Sequence, residues 1–403
     1  MSKSTTNKII DITKGLQSDI SRRGFLSKVG AVSAGTIIAG CSTNKNILQP
    51  ETSNLESPPG LNPAPVGNNQ SNDFLATVAT TDCFDYERSN IRRQVESMFN
   101  KIGGLADIIK PGDKVGIKVN LTGGVNSFGN VKHQPFNTYL NHPEICRAVV
   151  ELVKDAGAGN VYIVEAVYEW QSFTFNDPIT GLSYEQIANE TGAELVDINK
   201  KAPYSDYAIR QVPGGIIYQE LTQNGILDDF DCFISLPKTK RHVSAGITNA
   251  MKNLVGTLPV PCGLYNKGAG HRKGIHEHPN RNEDLVRVVI DLNKATPIHL
   301  VVSDIIHTVL KGEGPWIGFN YNDKVDINKL VAAKHDVVAA DAVSTSLLGF
   351  DPMAVDHDTP WDFKGNLTLN YLQLASDLGM GTNDLAKINV IDASETTGVS
   401  YHG

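Results

Sequence analysis

The chain has 403 residues and a formal net charge of −8, with a pI near 5.8. This length allows one large domain or two lobes with a sizeable core, and 40% hydrophobic with 20% charged residues is typical of a soluble globular protein. A nucleic-acid-binding surface needs a basic face, so the acidic balance argues against a nucleic-acid partner.

None of the five cysteines belongs to a C-x-x-C pair. The sequence therefore predicts neither a ferredoxin-type iron–sulfur cluster nor a zinc ribbon. One cysteine, Cys41, belongs to the amino-terminal signal described next. The other four are widely scattered, and the sequence leaves their disulfide pairing open: Cys83, Cys146, Cys232 and Cys262.

The amino-terminal segment is typical of a bacterial export signal. The stretch SRRGFL, with Arg22 and Arg23, resembles the twin-arginine signal. A weakly apolar run follows that is too short to span a membrane. It ends in IAGC, which is similar to a bacterial lipobox and makes Cys41 the predicted lipidated first residue of the exported protein. The alternatives are a chance arginine pair before an amphipathic helix and an accidental cysteine after small residues.

These signals divide the chain into a signal peptide at residues 1–40, a tether at 41–72 and a body at 73–403. The tether is rich in Asn, Ser, Pro, Gly and Thr and cannot bury a core. The predicted partners are the twin-arginine export machinery and, through the lipid, a membrane. The predicted location is the periplasmic side of a bacterial membrane. Ser42 does not resemble an inner-membrane retention signal and favours the outer membrane, but the choice stays open.

Strand and helix patterns alternate from the start of the body onward. FLATVAT is a candidate strand, and SNIRRQVESMFNKIGG is a candidate helix with Ser89 as its cap. PGDKVGIKVN predicts a turn and a strand, HPEICRAVVELVKDAGAG predicts a helix with Pro143 in its first turn, and NVYIVEA predicts a short strand. This strand–helix–strand order is a βαβ unit.

The second half continues the pattern after a less regular section at 174–227, which holds the hairpin-like IRQVPGGIIYQEL. DCFISLP and IHLVVSD predict strands, with a helix near Asn282–Asn293 between them. A later helix is predicted from Asp336 to Leu348, and INVID is a candidate final strand. The predicted fold class is therefore α/β, a mainly parallel sheet with flanking helices, in one lobe or two.

One segment departs from the acidic character of the chain. Between Asp231 and Glu277 there is no Asp or Glu, and the predicted strand DCFISLP leads directly into the first cations. Ligands in open α/β sheets lie beyond the carboxyl ends of the strands, so a site is expected here. The basic residues of this segment are Lys238, Lys240, Arg241, Lys252, Lys267, Arg272 and Lys273.

We place residues 242–256 on a helix, where His242, Asn249, Lys252 and Asn253 share one stripe. A solvated face normally mixes Glu with Lys, and this stripe has no Glu. The functional interpretation is an anion site for a carboxylate or phosphate, with His242 as a neutral general base among cations. The alternative is a wet amphipathic surface. The residues predicted to bind the substrate are Lys238, Lys240, Asn249 and Asn253.

Three histidines follow in the Gly-rich stretch GAGHRKGIHEHPN. Imidazole is the commonest transition-metal ligand in proteins, so His271, His276 and His278 are candidate ligands of a divalent transition metal. The alternative is that these side chains are simply exposed.

Three carboxylates are candidates to complete the site. Asp304 ends the predicted strand IHLVVSD, Glu313 lies in KGEGPWIG, and Asp341 lies in an apolar helix where a charge needs a partner. Asp304 is the predicted catalytic carboxylate. The alternatives are a cap for Asp304 and a structural ion pair for Asp341.

Several of these stretches together resemble a known family. The stretches HPEICRAVVELVKDAGAGNVYIVEA, ISLPKTKRHVSAGITNAMKNLVGTLP, GEGP and DVVAADAVSTSLLGFDP are similar to the bacterial and archaeal family called domain of unknown function 362. The resemblance spans most of Lys114 to Ile391. Some relatives carry ferredoxin cysteines, which this chain lacks. The family name implies a fold but no general activity.

A local likeness adds a mechanism. His242, Ala245, Gly246, Thr248 and Lys252 have spacings similar to a motif of the nickel-pincer lactate racemases. That resemblance implies that Lys252 holds a nickel-carrying cofactor covalently, that His242 carries a proton and that His271 binds metal. The racemases follow the Ser/Thr with paired glycines, whereas this chain has Asn249-Ala250, which puts clearance for the cofactor in doubt.

The sequence therefore predicts a twin-arginine-exported lipoprotein with an α/β body and a basic, His-containing site. The first hypothesis is an enzyme, metal-assisted in one version, that acts on a small carboxylate or phosphate molecule through His242, Lys252 and Asp304. The second is a non-catalytic anion-binding lipoprotein. The third, an electron-transfer partner, is disfavoured because cluster-binding cysteines are absent from the sequence.

Overall fold

The structure, a computed structural model, describes residues 74–125, 134–167, 171–178, 180–259, 280–318 and 321–394. The predicted export signal with Arg22 and Arg23, the lipidation residue Cys41 and the tether lie outside these ranges. So do the three candidate metal ligands His271, His276 and His278. In the described part of the chain, no helix is both long and apolar enough to cross a bilayer.

The described residues form fourteen strands and eight helices. The strands are β1 (Ala76–Asp82), β2 (Lys114–Lys118), β3 (Asn160–Glu165), β4 (Glu194–Asp197), β5 (Tyr207–Gln211), β6 (Glu220–Asn224), β7 (Cys232–Ser235), β8 (Lys240–His242), β9 (Gly246–Thr248), β10 (Leu300–Val309), β11 (Lys324–Lys334), β12 (Asp362–Phe363), β13 (Asn366–Leu367) and β14 (Ile388–Asp392). The helices are α1 (Arg88–Lys101), α2 (Pro143–Asp155), α3 (Gln171–Thr174), α4 (Tyr184–Thr191), α5 (Ala250–Asn253), α6 (Arg281–Ala295), α7 (Val337–Leu347) and α8 (Tyr371–Asp377).

Eight strands form one sheet in the order β14-β1-β11-β10-β7-β2-β3-β4. Strand β11 is antiparallel to both of its neighbours, and every other pair in this sheet is parallel. The predicted α/β class with a mainly parallel sheet is therefore confirmed. The predicted βαβ unit is β2–α2–β3, and the hairpin-like stretch forms the separate pair β5–β6.

Side-chain alternation along the strands gives the sheet two buried faces. On β7, Cys232 and Ile234 join a core cluster that contains residues of α1 and α2, such as Met98. Phe233, which points the opposite way, joins a second cluster with residues of α6 and α7, such as Val289. Helices thus cover both sides, which explains why the strands read as continuous apolar runs.

Two element boundaries differ from the predictions. Glu87, not Ser89, is the N-cap of α1, and its carboxylate accepts a hydrogen bond from the backbone N–H of Asn90. Strand β10 does not end at Asp304 but continues to Val309, because β11 pairs with it along the remaining length.

The prediction of one helix over residues 242–256 is wrong. Strands β8 and β9 form a hairpin that pairs His242 with Gly246, and only Ala250–Asn253 is α-helical. Gly246 has a φ of +71°, which breaks a right-handed helix. The backbone of Asn249 is extended, and Asp341 accepts hydrogen bonds from the N–H groups of Ala250 and Met251, so the helix begins there.

Gly246→Ala tests this hairpin. An added Cβ overlaps the indole ring of Trp361 and also sits at a positive φ. We expect the free energy of unfolding, measured by urea denaturation, to fall by about 2–4 kcal/mol. The matched control is Gly365→Ala, where φ is +75° but no atom lies within 4 Å of the added Cβ. It should lose only about 1–2 kcal/mol, and equal losses would contradict the packing described here.

Candidate functional site

Four lysine side chains are buried near the carboxyl edge of the sheet. Lys118 is the last residue of β2, Lys238 and Lys240 follow β7, and Lys252 lies on α5. Their exposed fractions are 1%, 0%, 0% and 7%. Buried ammonium groups require partners, so the contacts of each lysine determine whether it is already paired or is available to a ligand.

Lys238 forms an ion pair with Asp304 on the sheet face covered by α1 and α2. Its Nζ lies 3.0 Å from Asp304 Oδ2, donates to Tyr86 Oη at 2.9 Å and donates to the carbonyl of Phe136 at 3.3 Å. The Tyr86 hydroxyl donates to Asp304 Oδ1 at 2.9 Å. All three N–H groups of the ammonium are therefore used. This geometry does not favour Lys238 as a substrate ligand, and the catalytic role of Asp304 stays a prediction.

His142, which the sequence analysis missed, completes this first network. Its ring stacks on Tyr86 with centroids 3.8 Å apart, and its Nδ1 accepts the backbone N–H of Glu144 at 3.2 Å. Its Nε2 is buried without a partner in the described part of the chain. Burial, and then the charge of Lys238, hold the pKa of His142 well below its usual value. The signal in the sequence is a His directly before Pro143, an N-cap position.

A second ion pair, Lys118 with Glu165, lies at the ends of β2 and β3. Lys118 Nζ is 2.7 Å from Glu165 Oε1, and Glu165 Oε2 accepts the N–H of Leu121 at 2.9 Å. Asn253 donates to the Lys118 carbonyl at 3.0 Å and to Ser235 Oγ at 3.1 Å. Asn253 therefore ties α5 to β2 and β7. Sequence reasoning missed this ion pair, although each partner ends an apolar strand.

Asn249 is anchored on one side of its amide and open on the other. Its Oδ1 accepts hydrogen bonds from Thr239 Oγ1 at 2.8 Å and from Ser303 Oγ at 3.0 Å. Its Nδ2 is buried with no partner among the described residues. The predicted role of Asn249 as a hydrogen-bond donor to a ligand is compatible with this geometry.

Lys240 and Lys252 form no ion pair with a carboxylate of the described residues. Lys240 Nζ donates to the carbonyl of Tyr139 and lies 5.7 Å from the centre of its ring. Within the described ranges, no hydrogen bond or ion pair joins Lys252 Nζ to another residue. The carboxylate whose field reaches both amines is Glu313, and it also accepts hydrogen bonds from the Val243 N–H at 2.9 Å and Trp316 Nε1 at 3.2 Å.

Burial brings the pKa values of these two amines toward neutrality. It lowers the pKa of Lys240 to about 7 and that of Lys252 to about 8, while Glu313 acts in the opposite direction on both. The charge of Lys252 further lowers the pKa of Lys240.

Glu313 itself remains a strong acid. Its burial raises its pKa, but the charge of His242 and the hydrogen bonds from Val243 and Trp316 bring the pKa down to about 2. His242 Nδ1 accepts the backbone N–H of Ser244 at 3.0 Å. The predicted neutral-base role of His242 stays a prediction.

The charges at this edge are uneven. Four lysines meet three carboxylates, and two of the carboxylates, Glu165 and Asp304, already belong to the ion pairs described above. Lys240 and Lys252 share Glu313. Such an arrangement either binds an anion or keeps an amine neutral near physiological pH.

Other predicted residues lie elsewhere. Asp341 forms no ion pair with a described residue; it accepts hydrogen bonds from the first N–H groups of α5, and Tyr371 Oη lies 3.4 Å from its Oδ2. Arg241 lies between the rings of Phe363, at 3.9 Å, and Phe350, at 4.9 Å, on the outer side of the hairpin. No group of three or more His, Cys, Asp or Glu residues that could hold a metal occurs in the part of the chain that the structure describes.

One surface depression lies away from this chemistry. It has a volume of about 480 Å³ and is lined by residues such as Leu75, Lys334 and Met380, at the amino end of β1 and the end of the opposed strand β11. This is the opposite edge of the sheet. We place the candidate site at the buried lysines because unpaired buried charge indicates a ligand more directly than surface shape.

The fold and site define an α/β protein with a cation-rich carboxyl edge. The family described as Domain of unknown function (DUF362) matches residues 115–346, more than half of the chain, and the chain belongs to this family. A thylakoid-associated protein of Synechocystis sp. (strain ATCC 27184 / PCC 6803 / Kazusa) is 27% identical over 290 residues, which cover 70% of this chain and 77% of that protein.

Two solved structures are distantly similar. The lactate racemase apoprotein from Thermoanaerobacterium thermosaccharolyticum has 12% identity and a TM-score of 0.33, covering 66% of this chain and 56% of that one. A protein from Thermotoga maritima has 11% identity and a TM-score of 0.30, covering 56% and 51%. The chain spans about half the length of these proteins, and similarity at this level carries no argument about the site.

A contrast between two buried lysines tests the contacts described above. Lys238→Met leaves Asp304 buried without its ammonium partner, and we expect the free energy of unfolding to fall by about 3–5 kcal/mol. Lys252→Met removes a buried amine that forms no hydrogen bond or ion pair in the described ranges, so it should leave stability unchanged or raise it by about 1–2 kcal/mol. Chemical denaturation of both variants without added anions measures the difference. Similar losses in both would show that Lys252 is paired.

Proposed function

We propose that this DUF362 protein is an exported, lipid-anchored enzyme that acts on a small carboxylate- or phosphate-bearing molecule at the Lys240–Lys252 cluster. The observation that carries the proposal is Lys252, a residue that is 7% exposed and forms no hydrogen bond or ion pair with its side chain in the described ranges. A ligand anion supplies the missing negative charge, and Asn249 Nδ2 offers a further donor from the residue just before α5.

Catalysis is favoured over simple binding by the proton affinity of the two amines. Groups with pKa values of about 7 and 8 exchange protons readily at neutral pH, as a general acid or base must. Non-catalytic anion binding is the second candidate, because no hydrogen bond in the described ranges joins Lys252 to a base. Turnover of a panel of small acids and phosphate esters, followed by NMR, separates the two.

The metal-assisted version rests on residues outside the described ranges. His271, the predicted metal ligand, belongs to this group, and so do His276 and His278. In the described part of the chain, Lys252 makes no hydrogen bond or ion pair that would compete with an attached cofactor. Asn249 stands where the nickel-pincer lactate racemases have the first of their paired glycines, and its side chain accepts hydrogen bonds from Thr239 and Ser303. The proposed function therefore includes no metal-dependent step.

Export and anchoring rest on the sequence. The twin arginines Arg22 and Arg23 precede the lipobox-like IAGC, and the tether at 41–72 separates Cys41 from the first strand. The Synechocystis relative is named for a thylakoid association, which is compatible with an anchored location.

Anion binding should weaken as pH rises. A lysine whose pKa is lowered is charged below that pKa, so affinity for propanoate, whose own charge is constant in this range, is highest well below pH 7 and is lost as pH rises through the pKa values of about 7 and 8. A bound anion raises both pKa values and moves this loss to higher pH. We expect isothermal titration to show an affinity at least about tenfold lower at pH 9 than at pH 6.

The matched variants are Lys252→Met, which should lose at least about tenfold in affinity at low pH, and Lys201→Met, which changes an exposed lysine paired with Asp206. The second should bind normally. Affinity that is independent of pH, or equal in both variants, would contradict the proposed site.

Export is tested separately. In a bacterial host with the twin-arginine pathway, replacing both Arg22 and Arg23 with lysine should keep the precursor in the cytoplasm, since that pathway reads the arginine pair. Cys41→Ala should abolish lipid labelling and detergent partitioning while the soluble body folds normally. Labelling of the Cys41→Ala protein, or export of the Lys-Lys variant at the normal rate, would refute the assignment.

A further inference from the structure

We propose that the amino edge of the sheet docks on the lipid bilayer, with Phe74 and Leu75 inserted among the lipids. This inference rests on the proposed lipid anchor at Cys41, and it adds which face of the body contacts the membrane. The carboxyl edge, which carries the four buried lysines, then faces away from the bilayer.

The first argument is the concentration of exposed apolar side chains at the amino edge. Phe74 and Leu75 lie directly before β1, Leu378 follows the last residue of α8, and Leu385 lies three residues before β14. All four are exposed, and together they account for four of the eleven large apolar side chains that are exposed among the described residues. Single apolar side chains are ordinary on a protein surface, whereas a group of them marks an interaction site.

The second argument is that the fold brings these side chains to one place. The N–H of Leu75 donates to the carbonyl of Lys387 at 2.9 Å, which sets Leu75 beside the short segment that begins at Leu385. Leu75 also lines the depression of about 480 Å³ described above, and so does Met380, two residues after Leu378. Apolar residues from three separate parts of the chain therefore surround one depression.

The third argument is that the charges at this depression largely compensate one another. Lys334 Nζ and His335 Nε2 both contact the carboxylate of Asp107, at 2.7 and 2.9 Å. The carboxylate of Asp336 accepts two backbone N–H groups. The edge therefore has little excess positive charge with which to attract anionic headgroups. We expect apolar insertion to drive docking, and zwitterionic lipid to support it.

The path of the chain identifies the bilayer as the occupant. Cys41, the predicted lipidated residue, lies 33 residues before Phe74. A segment of that length spans at most about 115 Å in any conformation. The lipid anchor therefore keeps this edge at a high effective concentration beside the membrane, and weak apolar contacts are then enough to hold one face against it. A soluble partner has no such advantage.

Strand β1 supplies a matched comparison between the two edges of the sheet. Leu75 precedes this strand and is 68% exposed, whereas Phe84 follows it and is 67% exposed. The two side chains are equally accessible, but the strand between them separates them by roughly 25 Å. Side chains at a membrane interface reach only about 5–10 Å into the lipid, so the two residues cannot both insert.

Site-specific fluorescence tests the inference. The lipid-anchored full chain carries an environment-sensitive fluorescent amino acid in place of either Leu75 or Phe84. It is reconstituted on phosphatidylcholine vesicles whose acyl chains are brominated and quench fluorescence. We expect quenching of about half of the emission at position 75, with a shift to shorter wavelength, because an inserted side chain reaches the acyl boundary. Emission at position 84 should stay unquenched.

Charge substitutions provide the second measurement. With the fluorescent amino acid in place of Leu378, Leu75→Glu should remove the quenching, because a carboxylate is costly to insert among lipid chains. Phe84→Glu, the matched change at the opposite edge, should leave the quenching unchanged. Both side chains are exposed, so both variants should fold.

The outcomes separate this inference from the proposed anchor. If the protein stays with the vesicles but position 75 is not quenched, or position 84 is quenched as strongly, the docking face is wrong while the anchor stands. A wavelength shift at position 75 without quenching by brominated lipid shows that protein, such as a second copy of this chain, covers the edge, and it also overturns the inference. If the protein does not partition with the vesicles, the proposed anchor and this inference both fail.

Discussion

The structure depends on one constraint, the requirement that an ammonium group removed from water find a compensating charge. The carboxyl edge of the sheet buries four lysines and meets the requirement in full only twice, through Lys118 with Glu165 and Lys238 with Asp304. Those two pairs lie where β2, β3, β7 and β10 come together, so they fix the local arrangement of the strands. The other two amines, those of Lys240 and Lys252, are buried where a positive charge is costly, and this favours the binding of an anion at the edge.

The surrounding elements serve to keep these amines in place. The hairpin β8–β9, which carries Lys240 and His242, is fixed from outside by Arg241 between two phenylalanine rings and by Trp361 against Gly246. The Asp341 carboxylate holds the start of helix α5 by accepting hydrogen bonds from Ala250 and Met251. Burial raises the pKa of Asp341 to about 7. A helix too short to be stable alone and a buried acid both cost stability, and such costs are typical of functional sites.

Much of the fold could be predicted from the sequence, because periodic apolar segments with clear ends, such as α2, α7 and β14, carry their own signal. The charged edge could be predicted in part, since an acid-free segment in an acidic chain identifies Lys238, Lys240 and Lys252. The helix over residues 242–256 could not be excluded, because polar residues at spacings of three and four also fit a hairpin followed by one helical turn. The positive φ of Gly246 and the extended backbone of Asn249 separate the two. Lys118 and Glu165 were missed because a single charge at a strand end does not reveal its partner.

The most direct measurement of the central claim is an NMR titration of the lysine side chains labelled with ¹³C at Cε, with Lys240→Arg and Lys252→Arg to assign the signals. The account predicts two amines that titrate near pH 7 and 8 rather than near the ordinary value of 10.5, and that move upward when propanoate is added. If both amines have pKa values near the ordinary one and these values do not change when propanoate is added, the amines are solvated or already paired, and the site described here does not exist.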